Sequence, residues 1–117
     1  MKKLALPVVL GLTTVILTSA GRLTPSASSG KAIFEQYKCS KCHTISSQGI
    51  EREGTPPAGG KLPPDLSGVG LRHDAAWMTK WLLKEEEQNG KKHMKKFTGP
   101  DDELKTLTTW LATLKKK

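Results

Sequence analysis

The residues best suited to chemistry form one run, Cys39-Ser40-Lys41-Cys42-His43. The run contains both cysteines of the 117-residue chain, separated by two residues and followed directly by a histidine. This pattern is typical of covalent c-type haem attachment, in which each thiol adds to one vinyl group of the porphyrin. On a helical turn Cys39 and Cys42 face the same side, and His43 can then place an imidazole nitrogen under the iron.

Three other interpretations of the cysteine pair have less support. A thioredoxin-type redox pair usually accompanies a strand–helix–strand pattern, which the sequence lacks. A structural zinc site needs four ligands, commonly as two spaced pairs, and the spacing of His73 and His93 does not match a zinc finger. A disulfide between Cys39 and Cys42 would be strained on a helical turn. We therefore predict one covalently bound haem c at these cysteines.

The first twenty residues have the order of a secretory signal peptide. A short basic start precedes the apolar run Leu4–Leu17, and Thr18–Ala20 supplies small residues for a peptidase. The apolar run is shorter than the ~20 residues of a membrane span. We predict cleavage after Ala20 and a periplasmic or otherwise exported protein. The alternative is an uncleaved anchor that would tether the protein to a membrane.

The remaining chain divides into a small polar linker, residues 21–29, and one folded domain, residues 30–117. Only 36% of the chain is hydrophobic, and a domain of this size buries limited apolar surface by itself. A porphyrin at its centre would supply much of the missing core. We therefore predict that the protein is poorly folded without haem.

Apolar residues at helical spacing predict three helices, and no segment has the pattern of a strong strand. The segment 44–64 contains four glycines and four prolines, which predicts a loop. The first predicted helix runs from residue 30 to 37, with Ser28 or Ser29 as its cap. The second runs from residue 75 to about 88, with Asp74 as its cap and Asn89-Gly90 as its end. The third starts at Pro100 and has Asp101–Glu103 in its first turn.

Taken in order, these motifs make the chain similar to exported bacterial class I c-type cytochromes with one haem. The similarity covers essentially all of residues 30–117. The resemblance implies an all-α, small cytochrome c fold, with three to four helices wrapped around one covalently bound haem. The matching positions are Gly30 and Phe34, Cys39–His43, Pro64-Asp65-Leu66-Ser67-Gly68, Trp77 and Trp81, Met94 before Phe97, and Trp110.

The resemblance also implies roles for individual residues. His43 would be the proximal axial ligand of the iron, and the carbonyl of Pro64 would accept the proton of its other ring nitrogen. Leu66 and Phe97 would belong to the haem pocket, and Gly30 would let the first helix cross close to the last. Two roles remain open for the tryptophans: an indole of Trp77 or Trp81 bonds a haem propionate, or both rings are core.

The second axial ligand is predicted to be Met94. Phe97 follows it at the spacing where the family often has an aromatic residue, although Lys95 stands where proline is common. A methionine opposite a histidine raises the reduction potential of haem iron. His93 is the alternative ligand, and an open position is a third possibility. Met78 lies within a predicted helix, which favours core packing.

The chain is basic, with a formal net charge of +8 that falls to +6 if residues 1–20 are removed. Lysines on both sides of Met94 predict docking of redox partners with acidic surfaces, although a merely solubilising surface fits equally. We predict a one-electron carrier and not an enzyme, with no nucleic-acid partner. The alternatives are a haem-bearing subunit of a larger redox assembly and a gas-binding protein with a labile sixth ligand. The sequence does not predict an oligomeric state.

Overall fold

A computed structural model describes residues 27–55 and 62–117, together with the single position 11. It confirms the all-α prediction. The α-helices are α1 (Ala27–Gln36), α2 (Ala75–Leu82) and α3 (Asp101–Ala112), and short 3₁₀ helices cover Cys39–Lys41, Ser46–Gln48 and Leu66–Leu71. Within the described ranges, β-structure consists of two isolated bridges, Ile45–Ile50 and Gln88–Lys91.

The predicted signal peptide and most of the predicted linker lie outside the described residues. The linker was assigned to residues 21–29, but α1 begins at Ala27 and therefore includes the last three of them. In the part of the chain that the structure describes, no helix has the length and apolar character needed to cross a membrane.

The core forms where α1 crosses α3. Phe34 and Trp110 are 2% and 3% exposed, and their rings meet edge to face with centroids 5.9 Å apart. A Cβ atom on Gly30 would lie 2.2 Å from the Cβ of Trp110, so only glycine allows the two helices to approach this closely. The predicted close crossing at Gly30 is thus confirmed.

The last helix begins where the sequence predicts, directly after Pro100. Its first turn carries Asp101, Asp102 and Glu103, whose negative charge suits the positive end of the helix dipole. Leu104 and Leu107 on its apolar face are buried. These residues confirm the prediction made from their spacing.

The chain after α3 fastens to the 3₁₀ helix Leu66–Leu71. The N–H of Gly70 donates to the carbonyl of Leu114 at 2.8 Å, and the N–H of Lys116 donates to the carbonyl of Ser67 at 3.0 Å. A Cβ on Gly70 would lie 2.2 Å from the carbonyl oxygen of Ala112. The Pro64–Gly70 motif is therefore held directly against the end of the core.

The second helix is shorter than predicted and ends at Leu82, not near Gln88. Lys84 adopts a left-handed backbone with φ 60°. The N–H of Lys84 donates to the carbonyl of Trp81 at 3.1 Å, and that of Glu85 donates to Lys80 at 2.8 Å. These two bonds form the Schellman motif that closes many helices.

The charges after α2 explain why the helix does not continue. Glu85, Glu86 and Glu87 would add three adjacent carboxylates to the negative end of the helix dipole, where anions are unfavourable. The predicted terminators Asn89 and Gly90 instead form a separate turn, with φ of 54° and 73°, bridged by Gln88 and Lys91. This turn begins the return of the chain toward α3.

Residues 83–99, which we call the return segment, connect α2 to α3 without a helix or strand of their own. The N–H of Phe97 donates to the carbonyl of Leu82 at 2.8 Å, and the Phe97 ring lies 4.6 Å from that of Tyr37. The segment is thereby attached to α2 and to the end of α1. Its path brings it beside the Cys39–His43 run.

Candidate functional site

The Cys39–His43 run folds as a tight helical turn, as its spacing predicts. The N–H groups of Cys42 and His43 both donate to the carbonyl of Cys39, at 3.2 and 3.0 Å. Lys38, with a left-handed φ of 58°, separates this turn from α1. Both thiols are free, Cys39 half-buried and Cys42 exposed. Two thiols on one short turn are suited to form two bonds to one planar group.

The pKa of the Cys39 thiol is affected by a charge from the return segment. Burial raises the pKa of the Cys39 thiol, while the positive charge of Lys95 opposes that rise. A charge acts on a thiol in this way only at short range. The ring contact between His43 and His93 likewise places the lysine-rich part of the return segment next to the attachment turn.

His43 is held as a neutral imidazole. Its Nδ1 atom is buried, with no hydrogen-bond partner among the described residues. Burial, with a smaller contribution from His93, lowers the pKa of His43 to about 4. Metal binding requires the neutral form of histidine. A neutral imidazole directly after two free thiols fits a covalently held haem iron.

The predicted hydrogen bond between His43 Nδ1 and the carbonyl of Pro64 is absent. Pro64 is exposed, and the neighbouring backbone is attached elsewhere, because the N–H of Leu66 donates to the carbonyl of Thr44 at 2.9 Å. Leu66 is half-buried and packs against the core. The pocket roles of Pro64 and Leu66 toward haem stay predictions.

The structure brings His93, not Met94, to His43. The two imidazole rings are nearly parallel, with an interplanar angle of 9° and centroids 6.0 Å apart. His93 Nδ1 pairs with the backbone carbonyl of Lys95 at 2.5 Å, and Trp81 meets the His93 ring edge to face at 5.6 Å. The Met94 side chain is 86% exposed. Its assignment as a ligand stays a prediction.

A row of aromatic rings continues from this point along α2. Trp81 lies against Trp77 with centroids 5.3 Å apart, and Trp77 stacks on His73 at 3.6 Å. Both tryptophans are half-buried. The contact with His73 was not predicted, and its only sign in the sequence is the position of His73 four residues before Trp77. Phe97 is half-buried beside Tyr37, and its role in a haem pocket stays a prediction.

Asp65 stabilises the turn after the loop, a role that the sequence did not predict. Its Oδ1 accepts hydrogen bonds from the N–H of Ser67 at 2.9 Å and from the hydroxyl of Ser67 at 2.6 Å, and the N–H of Ser46 lies 3.3 Å away. Burial raises the pKa of Asp65, but the hydrogen bonds from Ser46 and Ser67 outweigh it and lower the pKa to about 2. The Asp-x-Ser spacing was the available sign of such a cap.

Comparison with known proteins gives one result. The model of the Cytochrome c family matches residues 27–115. No match is found among curated proteins or among solved structures. The family match covers most of the chain and includes all three helices with the Cys39–His43 turn. The chain belongs to the cytochrome c family and carries a covalently bound haem c.

Proposed function

We propose that this protein carries single electrons on its haem iron between redox partners outside the cytoplasm. Members of the cytochrome c family are in general haem-binding electron-transfer proteins. The observation that supports the role here is the Cys39–His43 turn, with two free thiols and a neutral imidazole. The iron, when bound, supplies a reversible ferrous–ferric couple whose potential the protein tunes.

The chain's own residues hold and shield this group. Cys39 and Cys42 would hold the porphyrin through their thiols, and His43 would offer an unprotonated nitrogen to the iron. The His93 ring lies parallel to that of His43, and Trp81 packs against His93. These rings would keep water and substrates away from a bound iron, which favours electron transfer over catalysis at the metal.

The same region suggests how partners would dock. Lys91, Lys92, Lys95 and Lys96 are exposed on the return segment, beside the attachment turn. We therefore propose that redox partners present acidic surfaces here, because opposite charges steer encounter without requiring tight binding. The electron-transfer rate should then fall as ionic strength rises. A rate that is flat between low and high salt contradicts the docking proposal.

The electron-carrier proposal is tested by two measurements on the haem-loaded protein. Spectroelectrochemical titration should show a reversible one-electron couple. Carbon monoxide should leave the spectrum of the reduced protein unchanged at neutral pH, because a filled axial position resists the ligand. Stoichiometric carbon monoxide binding would contradict the proposal and favour the gas-binding alternative. Elution of the native protein within a larger complex would favour the assembly-subunit alternative.

Export is part of the proposal and rests on residues 1–20 and on the family, whose domains typically work in the periplasm or outside the cell. N-terminal sequencing of the haem-bearing protein tests it. A new terminus at Gly21 is expected, and Met1 at the terminus of a membrane-associated protein would support the uncleaved anchor instead.

A further inference from the structure

We propose that His93, and not Met94, is the second axial ligand of the haem iron. This inference rests on haem attachment as stated in the proposed function and specifies the coordination of the same site. A histidine pair would replace the histidine–methionine pair expected from the sequence. Four features of the structure support it.

The first feature is the separation of the two imidazole rings. An imidazole nitrogen binds a metal ion at about 2 Å, so two imidazoles on opposite sides of one ion have ring centroids about 6 Å apart. The rings of His43 and His93 have centroids 6.0 Å apart. For comparison, His73 and Trp77 are also nearly parallel, but they stack directly at 3.6 Å. The separation of the histidine rings therefore matches that of two imidazoles sharing one metal ion, and not that of two rings in direct stacking contact.

The second feature is the hydrogen bond of His93. Nδ1 pairs with the carbonyl of Lys95, and a carbonyl can only accept, so the ring proton resides on Nδ1. The lone pair is then on Nε2, which is the form in which histidine binds a metal. Metal-bound histidines commonly donate their other N–H to a carbonyl or carboxylate, which fixes the tautomer and ring orientation.

The third feature is how the return segment holds the ring. The Gln88–Lys91 bridge closes a tight turn of the segment before His93, and the bond from Phe97 to Leu82 attaches the segment to α2 after His93. Trp81 packs edge-on against the His93 ring. The imidazole is thus held in one orientation by contacts on both sides of it in the chain.

The fourth feature is the solvent exposure of the Met94 side chain. Its side chain is 86% exposed, which makes it the most exposed large apolar side chain of the described residues. The side chain that faces His43 is that of the preceding residue, His93, which also contacts Trp81 and Lys95. Two histidine ligands also predict a lower reduction potential than a histidine–methionine pair.

The experiment uses the full-length, haem-loaded protein and three forms of it: wild type, His93→Ala and Met94→Leu. The readouts are the haem content, the near-infrared absorption of the oxidised form and its spin state by electron paramagnetic resonance. Wild type should be low-spin, without the sulfur-to-iron band near ~700 nm. Met94→Leu, the matched control, should have the same spectra. His93→Ala should become high-spin, and added imidazole should restore the low-spin state.

The imidazole rescue separates ligation from a merely structural role, because free imidazole replaces a ligand and not a packing contact. If His93→Ala does not accumulate, the wild type and Met94→Leu decide the question alone. A band near ~700 nm in wild type that disappears in Met94→Leu would overturn the ligand assignment and leave electron transfer intact. Absence of covalent haem from wild type would instead overturn the proposed function.

Discussion

The α1–α3 crossing and the return segment are held in place by different forces. At the crossing, Phe34 and Trp110 are almost fully buried, and the backbone of α1 at Gly30 lies against the Trp110 side chain. In the return segment most side chains are exposed. Its position depends on a few backbone bonds, on the ring contacts of His93 and Phe97, and, in our proposal, on the iron itself.

The two regions should therefore control different properties: the crossing controls the stability of the fold, and the return segment controls which residue binds the iron. The crossing needs apolar side chains of suitable shape and a glycine at position 30, and a change there alters the free energy of unfolding of the whole domain. The return segment has little core of its own, so a change there can alter the iron ligand while the helices remain packed. Four substitution experiments, from the largest expected effect to the smallest, test this division.

Removal of haem should have the largest effect. Replacing both Cys39 and Cys42 with serine prevents attachment, and a small domain without the porphyrin loses much of its apolar core. We expect the cooperative thermal transition, followed by far-ultraviolet circular dichroism, to disappear. Lys41→Ser, an exposed change between the two cysteines, keeps the attachment pattern and should melt like wild type. A sharp native-like melt of the haem-free variant would mean that the helix crossing suffices alone.

Trp110→Ala tests the crossing itself. Truncation of a fully buried aromatic side chain costs about 3–5 kcal/mol of unfolding free energy, measured by urea denaturation of the haem-loaded protein. The neighbouring Thr109 is exposed, so Thr109→Ala should change stability by less than about 0.5 kcal/mol. If Trp110→Ala altered the haem spectrum and left the free energy of unfolding unchanged, the proposed separation between the two regions would be wrong.

A pair of glycine substitutions compares the inside of α2 with the start of the return segment. Lys84 has a left-handed backbone, which costs a non-glycine residue about 1 kcal/mol, so Lys84→Gly should raise the free energy of unfolding by up to that amount. Lys80→Gly, the same change inside α2, should lower it by about 1 kcal/mol. Equal losses in both variants would contradict the left-handed helix end.

Asp65→Asn should have the smallest effect, a loss of stability that is present at neutral pH and disappears in acid. The folded-state pKa of Asp65, about 2, lies below its ordinary value of 3.8. Its ionised form therefore stabilises the fold fully above about pH 4, and this contribution is lost as the pH falls toward about 2. Urea midpoints of wild type and variant should converge between pH 5 and pH 2. Since Asp65 is exposed, solvent screening keeps the difference small. A gap that widens in acid would contradict the pKa shift.

Periodic apolar residues made much of the crossing predictable. Leu104, Leu107 and Trp110 mark one face of α3, and Pro100 with its acidic followers marks the start. The close approach at Gly30 followed from a family resemblance and is confirmed by the contact with Trp110. The buried face of a helix is predictable because its apolar residues recur every three to four positions, and each of them adds to the same periodic pattern.

The return segment was harder to predict, for physical reasons. The end of α2 depends on Lys84 entering a left-handed conformation that usually selects glycine, so no residue marked it. Whether His93 or Met94 faces inward depends on the Asn89-Gly90 turn and on the distant bond between Phe97 and Leu82. Neighbouring residues in an irregular segment have no period from which a direction can be deduced.

The crossing of α1 with α3 also sets the order in which the molecule can be assembled. Gly30 and Trp110 lie near opposite ends of the domain's sequence, so the contact between them cannot form until the final helix has been synthesised. Cys39 and Cys42 leave the ribosome well before that point. Until α3 packs against α1, both thiols therefore lie on an open chain, which leaves them accessible for haem attachment.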